Sequence, residues 1–353
     1  MARAVIFSGG TAFRDTAREL ARRQCDVTYL ITTFDSGGSS QALRRVFAMP
    51  AVGDLRNRLL SIAQDDAAAQ ALNARLDADE DKAREELKKI NISRRLSAVA
   101  EPVRSAIATD LERVIAALPE SFQASRASIG NLAITGAWLA NGHDLLAAVQ
   151  RYGELLRCVG RVLPICDRNL HLAARLKNGQ VLGQQHLFRH MSAPVKELFL
   201  TDDTGAVAAP EAEPEALAAI DEADLVIYPM GSFYSSILAN FLPRGVARAL
   251  SQSPVNKIFI PNVGADAESR DLSIVQQART IINTLGKQVG RQDNLLHGVL
   301  VDLTMRYPGG LSALSVDLGA MDIRLLPAAI APGGISHEPA LLAFVIEALL
   351  DCV

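Results

Sequence analysis

The chain has 353 residues, 49% of them apolar, enough to bury one large α/β core or two average ones. Its 36 basic and 39 acidic residues leave a formal charge of −3, and only 5% of residues are aromatic, which argues against a nucleic-acid footprint or a base-stacking platform. Four scattered cysteines without a C-x-x-C pair, and six histidines without an H-E-x-x-H pattern, argue against a disulfide framework or a zinc ribbon and suit a reducing compartment.

Residues 4–7 are a short apolar run stopped by Ser8-Gly9-Gly10. The run is too short for a signal-peptide core, and no later one reaches the roughly 18 residues of a membrane span. A cytoplasmic protein with no membrane partner is expected. Residues 12–24 carry Ala17, Leu20 and Ala21 at helical spacing, and residues 27–33 are a second, β-branched run. Together these predict a βαβ unit with both strands buried on two faces. The Gly9-Gly10-Thr11 turn then lies at the carboxyl end of a parallel strand, where such sheets hold ligands.

A glycine-serine loop, Asp35-Ser36-Gly37-Gly38-Ser39-Ser40, and the segment Gly53-Asp54-Leu55-Arg56-Asn57 follow. Residues 65–125 change texture: rich in Ala, Leu and charge, almost without Gly, with Leu111, Val114, Ile115 and Leu118 at helical spacing. They read as a helical insertion, a hairpin or a lid, within a single domain spanning 1–353. Ser128-Ile129-Gly130-Asn131 opens two helical patterns; then strands are expected at 162–164, 170–176 and 181–187, with Asn178-Gly179 as a hairpin turn. A strand at 196–201, a helix at 212–222, strands at 224–228, 257–260, 298–303 and 322–326, and a helix near 338–351 complete the pattern. Strand and helix alternation makes the class α/β, with a β-hairpin module and the helical insertion.

Several strand ends offer small or polar residues to a ligand. Gly9-Gly10-Thr11 precedes a helix whose free N–H groups favour an anion, yet it matches neither G-x-G-x-x-G nor the P-loop pattern. Gly231, Ser232, Ser235 and Ser236, in the turn after Tyr228, repeat the design, and Ser232 also suits a plain helix N-cap. Asp35 ahead of Ser36, Gly37, Gly38 and Ser39 suits a divalent cation or hydroxyl activation beside phosphates; an Asx turn is its structural alternative. Arg56, next to Asp54 and Asn57, either forks onto phosphate or pairs with a neighbouring acid.

Taken in order, G-G-T, D-S-G-G-S-S, L-R-R, G-D-L-R-N, S-I-G-N-L and G-S-F-Y-S-S-I resemble the CofD-like superfamily, which includes 2-phospho-L-lactate transferase and the YvcK-type gluconeogenesis factors. The similarity extends to Arg168-Asn169, Pro261-Asn262 and His337-Glu338-Pro339, and leaves out most of 65–125. It implies a Rossmann-like three-layer sandwich with a mostly parallel sheet and the ligand across its carboxyl edge. In the transferase branch a phospho-organyl group passes from a nucleoside diphosphate conjugate to a hydroxyl, with magnesium assisting and a nucleoside monophosphate leaving. In the YvcK branch the cleft is associated with UDP-sugars in a regulatory role, and a homodimer is implied by the family.

Carried onto this chain, Gly9, Gly10 and Thr11 would meet the conjugate, and Asp35 would hold magnesium or orient the attacking hydroxyl. Asn131, Gly231, Ser232, Ser236 and Asn262 would line the cleft. The chain departs from the pattern at Ala12, at Ser36 (where a second acid is usual), at Pro229 and Met230, and in the insertion. These changes bear on the substrate more than on the cleft. Two functions follow: a magnesium-dependent transferase, and a UDP-sugar-binding regulator whose partner meets the insertion. An NAD(P) dehydrogenase is disfavoured because the first turn lacks the third glycine.

Overall fold

The computed structural model describes residues 2–89, 96–183, 188, 191–264, 266–269 and 271–352. Its large sheet is wholly parallel and comprises β1 (Arg3–Ser8), β2 (Asp26–Ile31), β3 (Arg161–Pro164), β8 (Leu225–Tyr228), β9 (Asn256–Phe259), β10 (Gly298–Asp302) and β11 (Arg324–Ala328). Their spatial order is β3-β2-β1-β8-β9-β10-β11. A second, antiparallel sheet holds β4 (His171–Leu176), β5 (Val181–Leu182), β6 (Val195–Thr201) and β7 (Val207–Ala208) in the order β5-β4-β6-β7.

The continuous apolar runs have a simple cause. In β1, Ala4 and Ile6 enter one core while Val5 and Phe7 enter the other, so every position must be apolar. The first core is closed by α1 (Arg14–Arg22), α2 (Gly38–Phe47), α3 (Gly53–Ile62), α4 (Asp66–Asn73), α5 (Glu80–Lys88), α6 (Val103–Ala117), α7 (Ile129–Ala140) and α8 (Leu145–Leu155). The second is closed by α9 (Pro214–Asp221), α10 (Val246–Gln252), α11 (Ile274–Val289), α12 (Gly310–Gly319) and the small sheet. The last helix, α13 (Pro339–Asp351), returns to the first face and packs on α1. No helix among the described residues is long and apolar enough to cross a membrane.

The structure amends several expectations. The expected loop 35–40 is not a loop throughout, because α2 starts at Gly38 and takes in Ser39 and Ser40, and the segment 53–57, given no structure above, opens α3. Asn178-Gly179 does turn a hairpin, with Gly179 at φ 89° and its N–H donating 3.0 Å to the Leu176 carbonyl. The module is larger than a hairpin because β6 and β7 extend it. Of the strand expected at 181–187, the described part is β5, and 184–187 lie outside the described residues. The strand expected at 322–326 starts two residues later, since Asp322 at φ 59° still belongs to the turn after α12. α11, for which no helix was expected, opens with a capping box between Ser273 and Gln276.

Within 65–125, α6 lies along α7 with Ile107, Leu111 and Val114 buried in the first core. The approach is set by Gly136, where a Cβ would lie 1.8 Å from the Asp110 carbonyl oxygen. Gly136→Ala is therefore expected to push the helices apart and cost about 3 kcal/mol or more, read by urea denaturation. An unchanged midpoint would mean that the helices slide apart freely.

Candidate functional site

Because the large sheet is wholly parallel, all its carboxyl ends share one edge, and the topology reverses between β1 and β8. From β1 the chain moves outward through β2 and β3, then returns to the other side of β1 and continues to β11. Loops leaving the two central strands part there and open a crevice. The turn after β1 and the turn after β8 meet across it. A Cβ on Gly9 would sit 2.6 Å from Ser236 Oγ, and one on Gly231 would sit 3.9 Å from the Ala12 Cβ.

Asp54 presses on the first turn from below. A Cβ on Gly10 would lie 2.4 Å from Asp54 Oδ1 and 2.8 Å from Asn57 Nδ2, so only glycine fits. The Gly10 N–H donates to the Asp54 carboxylate. Asp35, beyond the end of β2, stands beside the start of α3: the Cβ position of Gly53 is 3.5 Å from Asp35 Oδ2 and 2.5 Å from Ser40 Oγ. The two carboxyls oppose each other electrostatically. Burial, then the charge of Asp35, pushes Asp54 up to about 7. Burial also raises Asp35, against the Gly37 N–H at 3.0 Å and the nearby Arg44. The second acid beside Asp35 is thus Asp54, one helix on, and not the neighbouring position occupied by Ser36.

Two arginines outside the expected set hold this arrangement. Arg58 is fully buried; its Nη2 donates to Ser8 Oγ at 2.7 Å and to the Gly9 carbonyl at 3.0 Å, and its Nη1 to the Phe13 carbonyl at 3.1 Å. Arg44 donates to the Asp35 carbonyl at 2.9 Å, to Asn169 Oδ1 at 2.9 Å and to the Leu170 carbonyl at 2.7 Å, tying the Asp35 turn to the loop after β3. Asp54, Asn57 and Arg58 stand at helical spacings of three and four, so one face of α3 carries all three; the helix start had to be recognised to see it.

Asn131 donates to Ser39 Oγ at 3.0 Å and Ser40 Oγ at 3.2 Å, while its own Oδ1 is buried without a partner among the described residues. Ser36 is buried, and Gly37 and Gly38 are exposed at the rim. Arg56 does not face the crevice. It is buried, bonded through its guanidinium to Ser128 Oγ and Asn57 Oδ1, with its stem against Gly130.

The second turn departs most from expectation. Its N–H groups, read as anion donors, already serve internal carboxylates. Tyr234 and Ser235 N–H both donate to Glu268 Oε2 at 2.8 Å, Ser235 Oγ donates to Glu268 Oε1 at 2.6 Å, and the Phe233 N–H donates to Asp266 at 3.1 Å. Ser235 is therefore a structural cap contact. Gly231, Ser232 and Ser236 stay at the crevice, and Asn262 braces them by donating to the Gly231 carbonyl at 2.7 Å.

Cavities lie on either side of the segment 10–12. One, of about 650 Å³, runs between α1 and α4 past Thr11, Arg14, Asn57 and Asn73. The other, of about 370 Å³, lies over the ends of β8 and β9, between Ala12, Gly231, Ser232, Asn262 and His337.

Comparison with known proteins agrees with this geometry. Residues 4–313 match the family model described as 2-phospho-L-lactate transferase CofD. A gluconeogenesis factor of Halalkalibacterium halodurans is 26% identical over 306 residues, covering 86% of this chain and 79% of that protein. A gluconeogenesis factor of Bacillus subtilis is 28% identical over 258 residues, covering 73% of this chain and 67% of that protein. The crystal structure of a UPF0052-family protein from Bacillus halodurans shares the fold, with a TM-score of 0.74 at 20% identity over 98% of this chain and 99% of that one. With a family match over residues 4–313, most of its length, the chain belongs to the CofD family.

Proposed function

We propose that the crevice holds a nucleoside diphosphate conjugate with its diphosphate at the Gly9-Gly10-Thr11 turn, and that the protein transfers the phosphorus-bearing group to a hydroxyl acceptor. The observation that carries this reading is Asp54 against that turn, 2.4 Å from the Gly10 Cβ position, with Asp35 near enough to raise the Asp54 pKa. Two mutually destabilised carboxylates next to an anion site suit a divalent cation. Magnesium in particular takes one or two carboxylates and completes its shell with phosphate oxygens and water. Asp35 and Asp54 would hold it, and it would neutralise charge on the transferring group.

The chain's own residues supply the remainder. The first turn of α1 presents backbone N–H groups to the diphosphate, and Arg58 fixes the carbonyls behind that turn. In the transfer, the acceptor oxygen bonds to the distal phosphorus and the bridging P–O bond breaks. The electron pair leaves on the nucleoside monophosphate, and the hydroxyl proton passes to Asp35. Such a reaction rests mainly on positioning and charge neutralisation.

The test is release of nucleoside monophosphate from UDP-glucose and from GDP conjugates, with magnesium and a panel of primary alcohols, followed by chromatography. Asp35→Ala is expected to slow release about 100-fold or more. Release at the wild-type rate would remove Asp35 from the chemistry. The names of the relatives favour a second reading, a non-catalytic UDP-sugar-binding regulatory protein. Under it, the same assay gives magnesium-dependent binding and no monophosphate with any acceptor.

A further inference from the structure

The cavity of about 650 Å³ between α1 and α4 begins at the first turn, where Gly10, Thr11 and Asn57 border it, and runs to Gln24 just beyond the far end of α1. Arg14, Arg18 and Arg22 line one wall. They stand four residues apart, so they share one face of α1 at intervals of about 6 Å and span about 12 Å. The facing wall is α4, which contributes Asp66, Gln70 and Asn73. Asp66 is the one acid that lines the cavity among the described residues, so three guanidiniums face a single carboxylate there.

The arginines have partners on their own helix. Asp15 accepts from Arg14 and from Arg18 at 3.1 Å each, and Glu19 accepts from Arg22. Neither acid lines the cavity, and the pairs lie at the surface, where water and salt screen them and they hold the side chains weakly. Arg18 and Arg22 each give one N–H to these acids, so each planar guanidinium keeps donors for a second partner. Spacing and charge then define the ligand. A small single anion would engage one arginine and leave the rest of the row unused. An apolar molecule would cover the guanidiniums without replacing their water. A chain bearing carboxylates or phosphates about 6 Å apart meets successive guanidinium forks, each able to bind in a bidentate manner.

We infer that the cavity is a second ligand site, separate from the diphosphate site, for an elongated molecule with at least two anionic groups, and that Arg18 and Arg22 bind those groups. The site stands on the arginine row, whether or not the transfer proposed above takes place. Its mouth at Thr11 and Asn57 sets one end of that molecule against the first turn, the place an acceptor must reach in that transfer. The anionic groups are carboxylates or phosphates, since both present the same paired oxygens to a guanidinium.

Isothermal titration at low ionic strength separates the outcomes, with fructose 1,6-bisphosphate, citrate, glycerol 3-phosphate and magnesium pyrophosphate as probes. The proteins are wild type, the double variant Arg18→Gln/Arg22→Gln and the double variant Arg18→Lys/Arg22→Lys, all changed at exposed helix positions that leave the fold intact. Wild type is expected to bind the bisphosphate or citrate at least tenfold more tightly than glycerol 3-phosphate, which carries one anionic group; the tighter of the two identifies phosphate or carboxylate as the preferred group. The glutamine variant should lose at least tenfold for that probe and stay within about threefold of wild type for pyrophosphate, while the lysine variant, which keeps the charge without the fork, should fall between them. A wild type that binds neither multivalent probe, or binds both no better than glycerol 3-phosphate, would overturn the site, as would a glutamine variant equal to wild type. Equal loss for pyrophosphate would also overturn it, because the arginines would then serve the first turn. If pyrophosphate fails to bind while the multivalent probes behave as expected, the diphosphate reading falls and the second site stands.

Discussion

Asp54→Asn is expected to stabilise the protein and at the same time abolish the magnesium-dependent part of its ligand binding. The carboxyl lies near 7 in the folded chain against an ordinary value of 3.8, with burial the main cause and Asp35 the second. Between those two values the folded state holds more protons than the unfolded one, so folding stability falls as pH rises through the window, and the full cost applies above about 7. Below about 3.8 the cost vanishes. Asparagine keeps an oxygen for the Gly10 N–H and carries no charge. With a chelator present, the variant should gain about 1–3 kcal/mol at pH 8, discounted from the full shift because Asp35 relaxes when its neighbour is neutral. The gain should shrink toward zero by about pH 4, measured by urea denaturation at several pH values. The titration of UDP-glucose should lose its magnesium dependence, at least tenfold in affinity. A variant no more stable than wild type at pH 8 would show that the carboxylate is well solvated where it stands.

Arg58 carries the largest expected loss. Its guanidinium is fully buried, lies 4.9 Å from the Tyr29 ring centroid and 5.7 Å from that of Phe13, and bonds both carbonyls that flank the first turn. Burial lowers its pKa only to about 10, so it stays charged at neutral pH. Arg58→Ala would take one of two donors from the Gly9 carbonyl, which keeps the Ser8 hydroxyl, and from the Phe13 carbonyl, which keeps the Ala17 N–H, and would open a void under the turn, a cost of about 3–5 kcal/mol. Arg58→Lys keeps the charge, but one ammonium cannot span positions that a planar fork reaches together. It is expected to lose about 2 kcal/mol and to weaken pyrophosphate binding, because the turn is no longer held from behind. Urea denaturation and calorimetry check both; a lysine variant equal to wild type would show that charge alone suffices.

The fold was legible because burial on two faces leaves an unmistakable trace. The runs 4–7 in β1 and 225–228 in β8 are apolar at every position, and Ser8-Gly9 and Pro229 end them. That Gly9 to Thr11 and Asp35 stand at strand ends was legible for a related reason, since glycines and a turn-forming acid close apolar runs; the Gly37 N–H donates to Asp35 Oδ1 at 3.0 Å in the Asx geometry given above as the structural alternative. The nearness of Asp35 to Asp54 was not legible, because nothing in the pattern of 53–57 marked a helix start at Gly53. Once α3 begins at Gly53, the helical period turns Asp54, Asn57 and Arg58 toward the same end of β1. Glu268 and Asp266 were not legible at all. They lie more than thirty residues beyond the N–H groups they cap, and only the parallel crossover from β8 to β9 brings them back. The short β7 left no pattern in the sequence, because two paired residues at the margin of a small sheet require little apolar surface.

The capping of residues 233–235 by internal carboxylates makes the crevice handed. Two glycine turns face each other across the sheet edge, and symmetry of design would let a dinucleotide lie either way round. Glu268 makes the two banks unequal: it accepts from two N–H groups of the second turn and Asp266 from a third, whereas at the first turn Asp54 accepts from Gly10. With the diphosphate at the first turn, as proposed above, a conjugate is expected to enter in a single orientation. A molecule with a phosphate at both ends is expected to bind more weakly than one with a single charged end.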